Sequence, residues 1–213
     1  MLTPLFTVPL EREFEGWVTR GIEDYFRGVG RRAYVIGIGS RTEKVWPADQ
    51  AVGVAGKVFG IQMKRARLSS GKAVGPQRLH WKVDSPANQF QFVKQRPEIV
   101  YGLPTFADRR LNREALDHCV FWRPPKDLAM PPSIWYDHNP KKSKVAAHER
   151  LSVKDRWGLL IERVLYCQFG RKMLLSGLQS YADELRTALT GANLPSTVIV
   201  TWVELPSGSA AES

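Results

Sequence analysis

The chain has 213 residues, of which 43% are apolar and 24% are charged. This composition excludes intrinsic disorder, collagen and a disulfide scaffold, and the length suits one globular domain that buries about 70% of its unfolded surface. Cys119 and Cys167 are far apart and form no Cys-x-x-Cys pair, which predicts two buried free thiols in a reducing cytoplasm. No apolar run reaches the roughly 18 residues of a membrane span, so we expect a cytoplasmic protein without a membrane partner.

The net charge is strongly positive, because 31 lysines and arginines outnumber 21 acidic residues and give +10. A basic chain of this size is typical of a protein that meets a polyanion, since neutralising phosphates releases counterions from a nucleic acid. The alternative is a basic protein that is merely soluble. Clustering of the charges favours the first interpretation, and the nucleic-acid contacts that we predict are Arg65, Arg67, Lys141, Lys142 and Lys144.

The first half of the chain is predicted to begin with a helix and to continue with strands. Apolar side chains recur at three- and four-residue intervals over residues 11–27, which is the period of an amphipathic helix. Strands at 48–54 and 58–68 would form a hairpin with a tight turn at Gly56 and Lys57. The other elements expected in this half are a strand at 32–39, a loop at 69–76, a strand at 78–83, a helix at 88–95 and a strand at 98–106.

The second half begins with a segment, residues 124–144, that is rich in proline and lysine and indicates an insertion or a long loop. Aromatic residues in and near it, Trp122, Trp135 and Tyr136, could stack on bases or belong to the core. Beyond this segment the patterns predict helices at 152–173 and 175–189, a strand at 197–205 and a polar tail at 206–213.

Three polar residues around the predicted hairpin could form a metal site. Side chains at i and i+2 of a strand share a face, so Gln62 and Lys64 should project together while Ile61 and Met63 face the core. Asp49, on the neighbouring strand about 4.8 Å away, would bring a carboxylate to this pair. Oxygen ligands of this kind suit a hard divalent cation, and Lys64 could orient or deprotonate a water that attacks a phosphodiester. The alternatives are an ordinary turn aspartate and the solvent face of an edge strand.

The order helix, strand, Asp-bearing strand and strand with Gln-x-Lys resembles the core of the PD-(D/E)XK nuclease superfamily. Asp49 matches the central aspartate of that family, Gln62 its second acid and Lys64 its lysine, and Asp49 and Gln62 are thirteen positions apart (62 minus 49). Two features depart from the pattern: the proline stands two residues before the aspartate, and glutamine replaces the acid. The resemblance covers residues 11–106 and implies Mg²⁺ or Mn²⁺ as the cofactor.

The family usually adds a glutamate from the first helix, and this helix offers Glu11, Glu13, Glu15 and Glu23. At 100° per residue, Glu15 and Glu11 fall inside the apolar arc that starts at Phe14, whereas Glu13 and Glu23 point more towards solvent. We therefore expect Glu15, and after it Glu11, to bind the metal. The alternative is that these acids only solvate the start of a helix.

The resemblance implies an α/β fold with a restriction-endonuclease-like mixed sheet flanked by helices and a helical C-terminal extension. It implies a divalent-metal-dependent nuclease, foremost a DNA endonuclease in defence, repair or mobile-element processing, with RNA as the other substrate and a homodimer or larger assembly by analogy. The alternative function is a non-catalytic nucleic-acid-binding or assembly subunit with a degenerate nuclease fold. The expected divisions are a nuclease-like core at 1–110, a basic insertion at 111–150, two helices and a final strand packed on the core at 151–205, and a disordered tail at 206–213.

Overall fold

The structure is a computed structural model, and it describes residues 9–39, 54–68, 79–106, 109–129, 133–136, 148–150 and 156–205. Asp49, Lys141, Lys142 and Lys144, the predicted loop at 69–76, nearly all of the predicted strand at 48–54 and the tail at 206–213 lie outside the described residues. The helices are α1 Glu11–Gly28, α2 Gln89–Lys94, α3 Trp157–Leu165 and α4 Leu178–Gly191. The strands are β1 Ala33–Gly39, β2 Ala55–Met63, β3 Arg67–Leu68, β4 Leu79–Trp81, β5 Ile99–Pro104, β6 Cys119–Trp122, β7 Ser133–Tyr136, β8 His148–Arg150, β9 Arg171–Leu174 and β10 Thr197–Glu204.

The main sheet is mixed and open, with the strand order β1-β10-β2-β5-β6 and with β9 as a further partner of β2. Its one parallel pair among the described strands is β2 and β5, which are connected through α2. A second, smaller sheet has the order β3-β4-β7-β8. Helices cover both faces of the main sheet, so the α/β class expected from the sequence is confirmed.

Strand β2 is a central strand, which corrects two expectations. It pairs with β10 along one side and with β5 and β9 along the other. The predicted turn at Gly56 and Lys57 is wrong, because both residues lie inside β2. Glycine is needed at position 56 for a different reason: an added methyl group would lie 2.3 Å from the ring of Trp202 and 2.6 Å from the Val203 carbonyl oxygen. The edge-strand alternative is also wrong.

Helix α1 confirms the prediction from helical periodicity. Its buried residues are Phe14, Val18, Ile22 and Phe26, which are the residues that define the predicted apolar arc. They share one core layer with the apolar residues of α3 and with the odd-numbered positions of β2, such as Ile61. The opposite layer contains α2 and α4 together with the buried residues of β4.

Helix α3 is shorter than the sequence predicts. The pattern suggested a helix to residue 173, but α3 ends at Leu165 and is followed by β9, which pairs with β2. Two left-handed residues, Cys167 with φ 60° and Gly170 with φ 83°, make the change of direction. Both cysteines are free as expected, but only Cys119 is buried, whereas Cys167 is exposed.

The C-terminal segment supplies part of the main sheet. Strand β10 confirms the predicted final strand, and it lies between β1 and β2 in the centre of the sheet, where Trp202 is fully buried. Strand β6, which local patterns did not single out, pairs with β5. Trp122 at its end is buried and stacks on Tyr101 with ring centroids 5.8 Å apart, so it is a core residue. Within the described ranges, no helix has the length and apolar character that crossing a membrane requires.

Candidate active site

Three of the residues predicted for the site, Glu11, Glu15 and Lys64, meet at the edge of the main sheet where β2 and β5 end. The carboxyl ends of parallel strands point to the same edge, which is the usual place for ligands in open α/β sheets. Lys64 directly follows β2, and its backbone N–H donates to the Gly102 carbonyl oxygen of β5 at 3.0 Å. The first turn of α1 reaches the same edge, since a Glu11 carboxylate oxygen accepts the Arg65 backbone N–H at 3.3 Å.

Lys64 is the most unusual cation of this site, because only 2% of it is exposed. Its ammonium group donates a hydrogen bond to the Ser85 carbonyl oxygen at 2.5 Å. Burial lowers the pKa of Lys64, and the negative charges of Glu11, Asp84 and Glu15 act in the opposite direction. The ammonium group is therefore poorly hydrated. The carboxylates of α1 and of Asp84 partly offset the free-energy cost of burying its charge.

Glu11 and Glu15 stand one helical turn apart on α1 and face the same charged surroundings. Burial raises the pKa of Glu11, while the nearby Lys64 lowers it. The pKa of Glu15 is raised to about 7, first by burial and then by the negative charge of Glu11. The structure thus brings together two of the predicted acids and Lys64. A cation beside the two carboxylates would relieve their mutual repulsion.

The other two glutamates of α1 have different surroundings. Glu13 forms a two-pronged hydrogen bond with Arg109, at 3.0 Å to the Nε and 2.9 Å to an Nη of the guanidinium. This pairing lowers the pKa of Glu13 to about 2. Glu23 is exposed. Among the glutamates of α1, the charges that act on Lys64 are those of Glu11 and Glu15.

Gln62 is fully buried, so it faces the core as Ile61 and Met63 do, and the contrast expected between the two faces of β2 is absent there. Its register partners are Val198 of β10 and Tyr101 of β5, whose side chains belong to the core layer on the α4 side. The Gln62 Nε2 donates to the Met63 carbonyl oxygen at 3.3 Å, and its Oε1 has no hydrogen-bond partner among the described atoms. Gln62 therefore approaches the edge from the face opposite to α1. Its free oxygen is what an oxygen-binding cation would use.

Asp84 was not singled out by the sequence analysis, yet its charge is one of those that favour charged Lys64. One of its carboxylate oxygens accepts the Phe90 backbone N–H at 3.0 Å and so caps the start of α2. A signal for it exists in the sequence: an aspartate directly before Ser85 and Pro86, at a predicted helix start. That signal indicates a cap. Its proximity to Lys64 depends on packing.

Two of the predicted nucleic-acid contacts are described, and both lie beside this edge. Arg65 and Arg67 are exposed, and the positive charges of both lower the pKa of Glu11. Across the described part of the chain, no three Asp, Glu, His or Cys side chains form a group that could hold a metal ion. The described oxygen donors at this edge are Glu11, Glu15, Asp84 and Gln62.

Comparisons of the chain with family models, with curated proteins and with solved structures find no match.

Proposed function

We propose that this protein is a divalent-metal-dependent nuclease that hydrolyses phosphodiester bonds, foremost in DNA. The observation that carries the proposal is the buried Lys64 ammonium group beside the carboxylates of Glu11 and Glu15 at the carboxyl edge of β2. Burying such charges costs folding free energy, and ionisable groups with shifted pKa values cluster at functional sites. The net charge of +10 suits a polyanionic substrate.

The oxygen donors at this edge are of the chemical type that a hard cation such as Mg²⁺ or Mn²⁺ prefers. Glu11 and Glu15 would hold it with anionic oxygens, and the unpartnered Oε1 of Gln62 is a neutral oxygen at the same edge. Asp49, the fourth ligand in the family resemblance, lies outside the described residues. When bound, the ion would polarise the phosphate and activate water.

Lys64 has the properties of a group that handles the attacking water. Because burial lowers its pKa, the side chain can exchange a proton nearer to neutral pH than an exposed lysine can. Its hydrogen bond to the Ser85 carbonyl oxygen fixes the position of the nitrogen. A fixed amine beside a phosphate can orient water and offset charge that builds on the phosphate oxygens.

The proposal includes a restriction-endonuclease-like fold. Three features support this fold. Helix α1 precedes β1, and β2 ends at Met63, directly before Lys64. Strand β5 follows α2 and runs parallel to β2. One feature departs from the expected arrangement, because the neighbour of β2 on the β1 side is β10 from the C-terminal segment. The Asp49-bearing strand that the resemblance expects beside β2 is therefore not its neighbour, since β10 occupies that side of β2 and β5 and β9 occupy the other.

Incubation of supercoiled plasmid with Mg²⁺ or Mn²⁺, and with EDTA as the blank, tests the proposal. We expect nicked or linear product that Lys64→Ala and Glu15→Gln reduce by about 100-fold or more. Lys94→Ala is a matched control, since the Lys94 ammonium also donates to a backbone carbonyl, that of Leu128 at 2.8 Å, but belongs to the end of α2. Cleavage that is unchanged in Lys64→Ala would remove Lys64 from the mechanism.

The second candidate is a non-catalytic nucleic-acid-binding or assembly subunit. Two observations favour this candidate. The Lys64 ammonium already donates to a backbone carbonyl, and the side chain of Gln62 is fully buried in the core. Binding of nucleic acid in EDTA, without any cleavage on addition of Mg²⁺ or Mn²⁺, would support this candidate over the nuclease.

A further inference from the structure

The part of the small sheet formed by β3 and β4 has one buried face and one positively charged face. Leu79 and Trp81 of β4 are 3% and 2% exposed and belong to the main core. His80 between them is partly exposed, and Lys82 directly after β4 is exposed, as alternation along a strand requires. Arg67 of β3, opposite His80 in the register, is exposed as well. We call Arg67, His80 and Lys82 the basic face.

The backbone register extends this row across the whole sheet. Arg67 of β3 is aligned with His80 of β4, which is aligned with Trp135 of β7. Trp135 is in turn aligned with Arg150 of β8. Of these aligned residues, the structure describes the side chains of Arg67 and His80, and both are of types that contact phosphates.

The basic face leads directly to the candidate active site. Arg67 follows Lys64 by three residues, and Lys82 precedes Ser85 by three residues. Lys64 and Ser85 are joined by the hydrogen bond from the ammonium group to the carbonyl oxygen. Three residues of extended chain span at most about 10 Å, so the backbone of Arg67 lies within about 10 Å of that of Lys64.

Positive charge dominates on this face. The pKa of His80 is lowered, chiefly by burial and then by the charges of Arg67 and Lys82. The charge of Arg67 also lowers the pKa of Lys64. A mobile anion such as a phosphate group would be attracted to this place, and a second cationic surface would be repelled.

We propose that the basic face binds the phosphate backbone of the nucleic acid on one side of the bond that is cleaved near Lys64. This inference rests on the proposed function, because it names the contact surface for that substrate. A linear polyanion fits better than a small anionic ligand, since the cations form a row that continues away from the site. Leu79 and Trp81 are buried on the other face of β4 and anchor this strand to the core.

The test measures the salt dependence of binding. A fluorescein-labelled DNA duplex is titrated with protein in EDTA at several NaCl concentrations, and the slope of log K against log[NaCl] is compared between variants. Each lost phosphate contact should reduce the slope by about 0.9. We expect the double variant Arg67→Gln/Lys82→Gln to reduce it by about 1.8 and to weaken binding at least about tenfold.

A matched control removes the same charge elsewhere. Arg163→Gln/Lys172→Gln also replaces two exposed cations. Arg163 belongs to α3, which packs on the other face of the main sheet, and Lys172 belongs to β9, which pairs with the start of β2. We expect its slope to stay within about 0.5 of the wild-type slope. Melting curves of both variants should match the wild type, since all four side chains are exposed.

The outcomes separate the two proposals. Three results would overturn the basic face as the contact surface. They are equal salt slopes for the two double variants, a wild-type slope in both, and no binding of the duplex by the wild type. The plasmid assay judges the nuclease proposal by itself, because binding in EDTA does not require hydrolysis. Loss of slope in Arg67→Gln/Lys82→Gln without any plasmid cleavage would support the basic face and refute the nuclease.

Discussion

The Lys64 ammonium group and the Ser85 carbonyl oxygen are 2.5 Å apart, although 21 positions separate the two residues in the chain. The bond joins the end of β2 to the turn that precedes α2. This hydrogen bond holds the buried ammonium group near two carboxylates, that of Glu11 on α1 and that of Asp84 in the same turn. The position of the amine is therefore set by the fold, whereas the flexible stem of an exposed lysine would leave it free.

Replacing Lys64 with methionine should separate stability from activity. The change keeps a side chain of similar length but leaves the Glu11 and Asp84 carboxylates without their buried cation, so we expect the melting temperature to fall by several degrees while the protein stays folded. Plasmid cleavage should fall by about 100-fold or more. Differential scanning calorimetry and the plasmid assay measure the two effects, with Lys94→Met as the control. A large drop in melting temperature with full activity would show that the role of Lys64 is structural.

Glu15 should make stability depend on pH. Its pKa of about 7 in the folded protein is above the ordinary 4.5, so the folded chain keeps a proton that the unfolded chain releases between these values. The contribution to stability is full below pH 4.5 and is lost as the pH rises through about 7. Glu15→Gln, which does not ionise, should match the wild type at pH 4 and exceed it by about 1 to 2 kcal/mol at pH 8, allowing for solvent screening.

Urea denaturation in EDTA at pH 4, 6 and 8 measures this difference. Glu23→Gln on the exposed side of α1 is the control and should show no such trend. A Glu15→Gln effect that is the same at all three pH values would contradict the prediction, because a change independent of pH reflects packing and not ionisation.

Two glycine substitutions should have opposite effects. Gly56→Ala would force a methyl group against the ring of Trp202 and the Val203 carbonyl oxygen, so we expect a loss of about 1 to 3 kcal/mol or more in the free energy of unfolding. Gly16→Ala, in the middle of α1 with no atom within 4 Å of the added group, should gain about 0.5 to 1 kcal/mol. Urea denaturation measures both. A harmless Gly56→Ala would contradict the pairing of β10 with β2.

The two thiols should react at very different rates. Cys167 is exposed, whereas Cys119 is fully buried in β6 and its pKa is raised by that burial. A chromogenic disulfide reagent at pH 8 should therefore label one thiol rapidly in the folded protein and both thiols in denaturant. Cys167→Ser should abolish the rapid phase. Rapid labelling of two thiols without denaturant would show that β6 does not shield Cys119.

Local sequence patterns predicted most of the elements, because each pattern records which face of a short segment is buried. Helices α1, α2 and α4 and strands β1, β5 and β10 lie where the periodicity or the β-branched runs indicate. The end of α3 was misplaced because Cys167 adopts a left-handed conformation that a non-glycine residue rarely takes. The turn at Gly56 was misplaced because glycine serves there to admit Trp202.

The candidate site could be predicted only in part. Glu11 and Glu15 follow from the helical arc, and Lys64 from its place beside Gln62. Asp84 could not be predicted as a neighbour of Lys64, since the contact depends on how the turn before α2 folds back on the end of β2. Gln62 was expected to form a polar pair with Lys64 opposite the core face, and only the packing of the α4-side layer on β2 shows that it is buried.

The amino-acid sequence alone determined the basic charge, the apolar stripe of α1 and the positions of most helices and strands, because these depend on composition and on neighbours within a few residues. Tertiary structure decided that β10 lies between β1 and β2 and that Lys64 meets Ser85. These contacts join residues that are far apart in the chain. Their free energy comes from burying surfaces against each other, and no local period records which surfaces will meet.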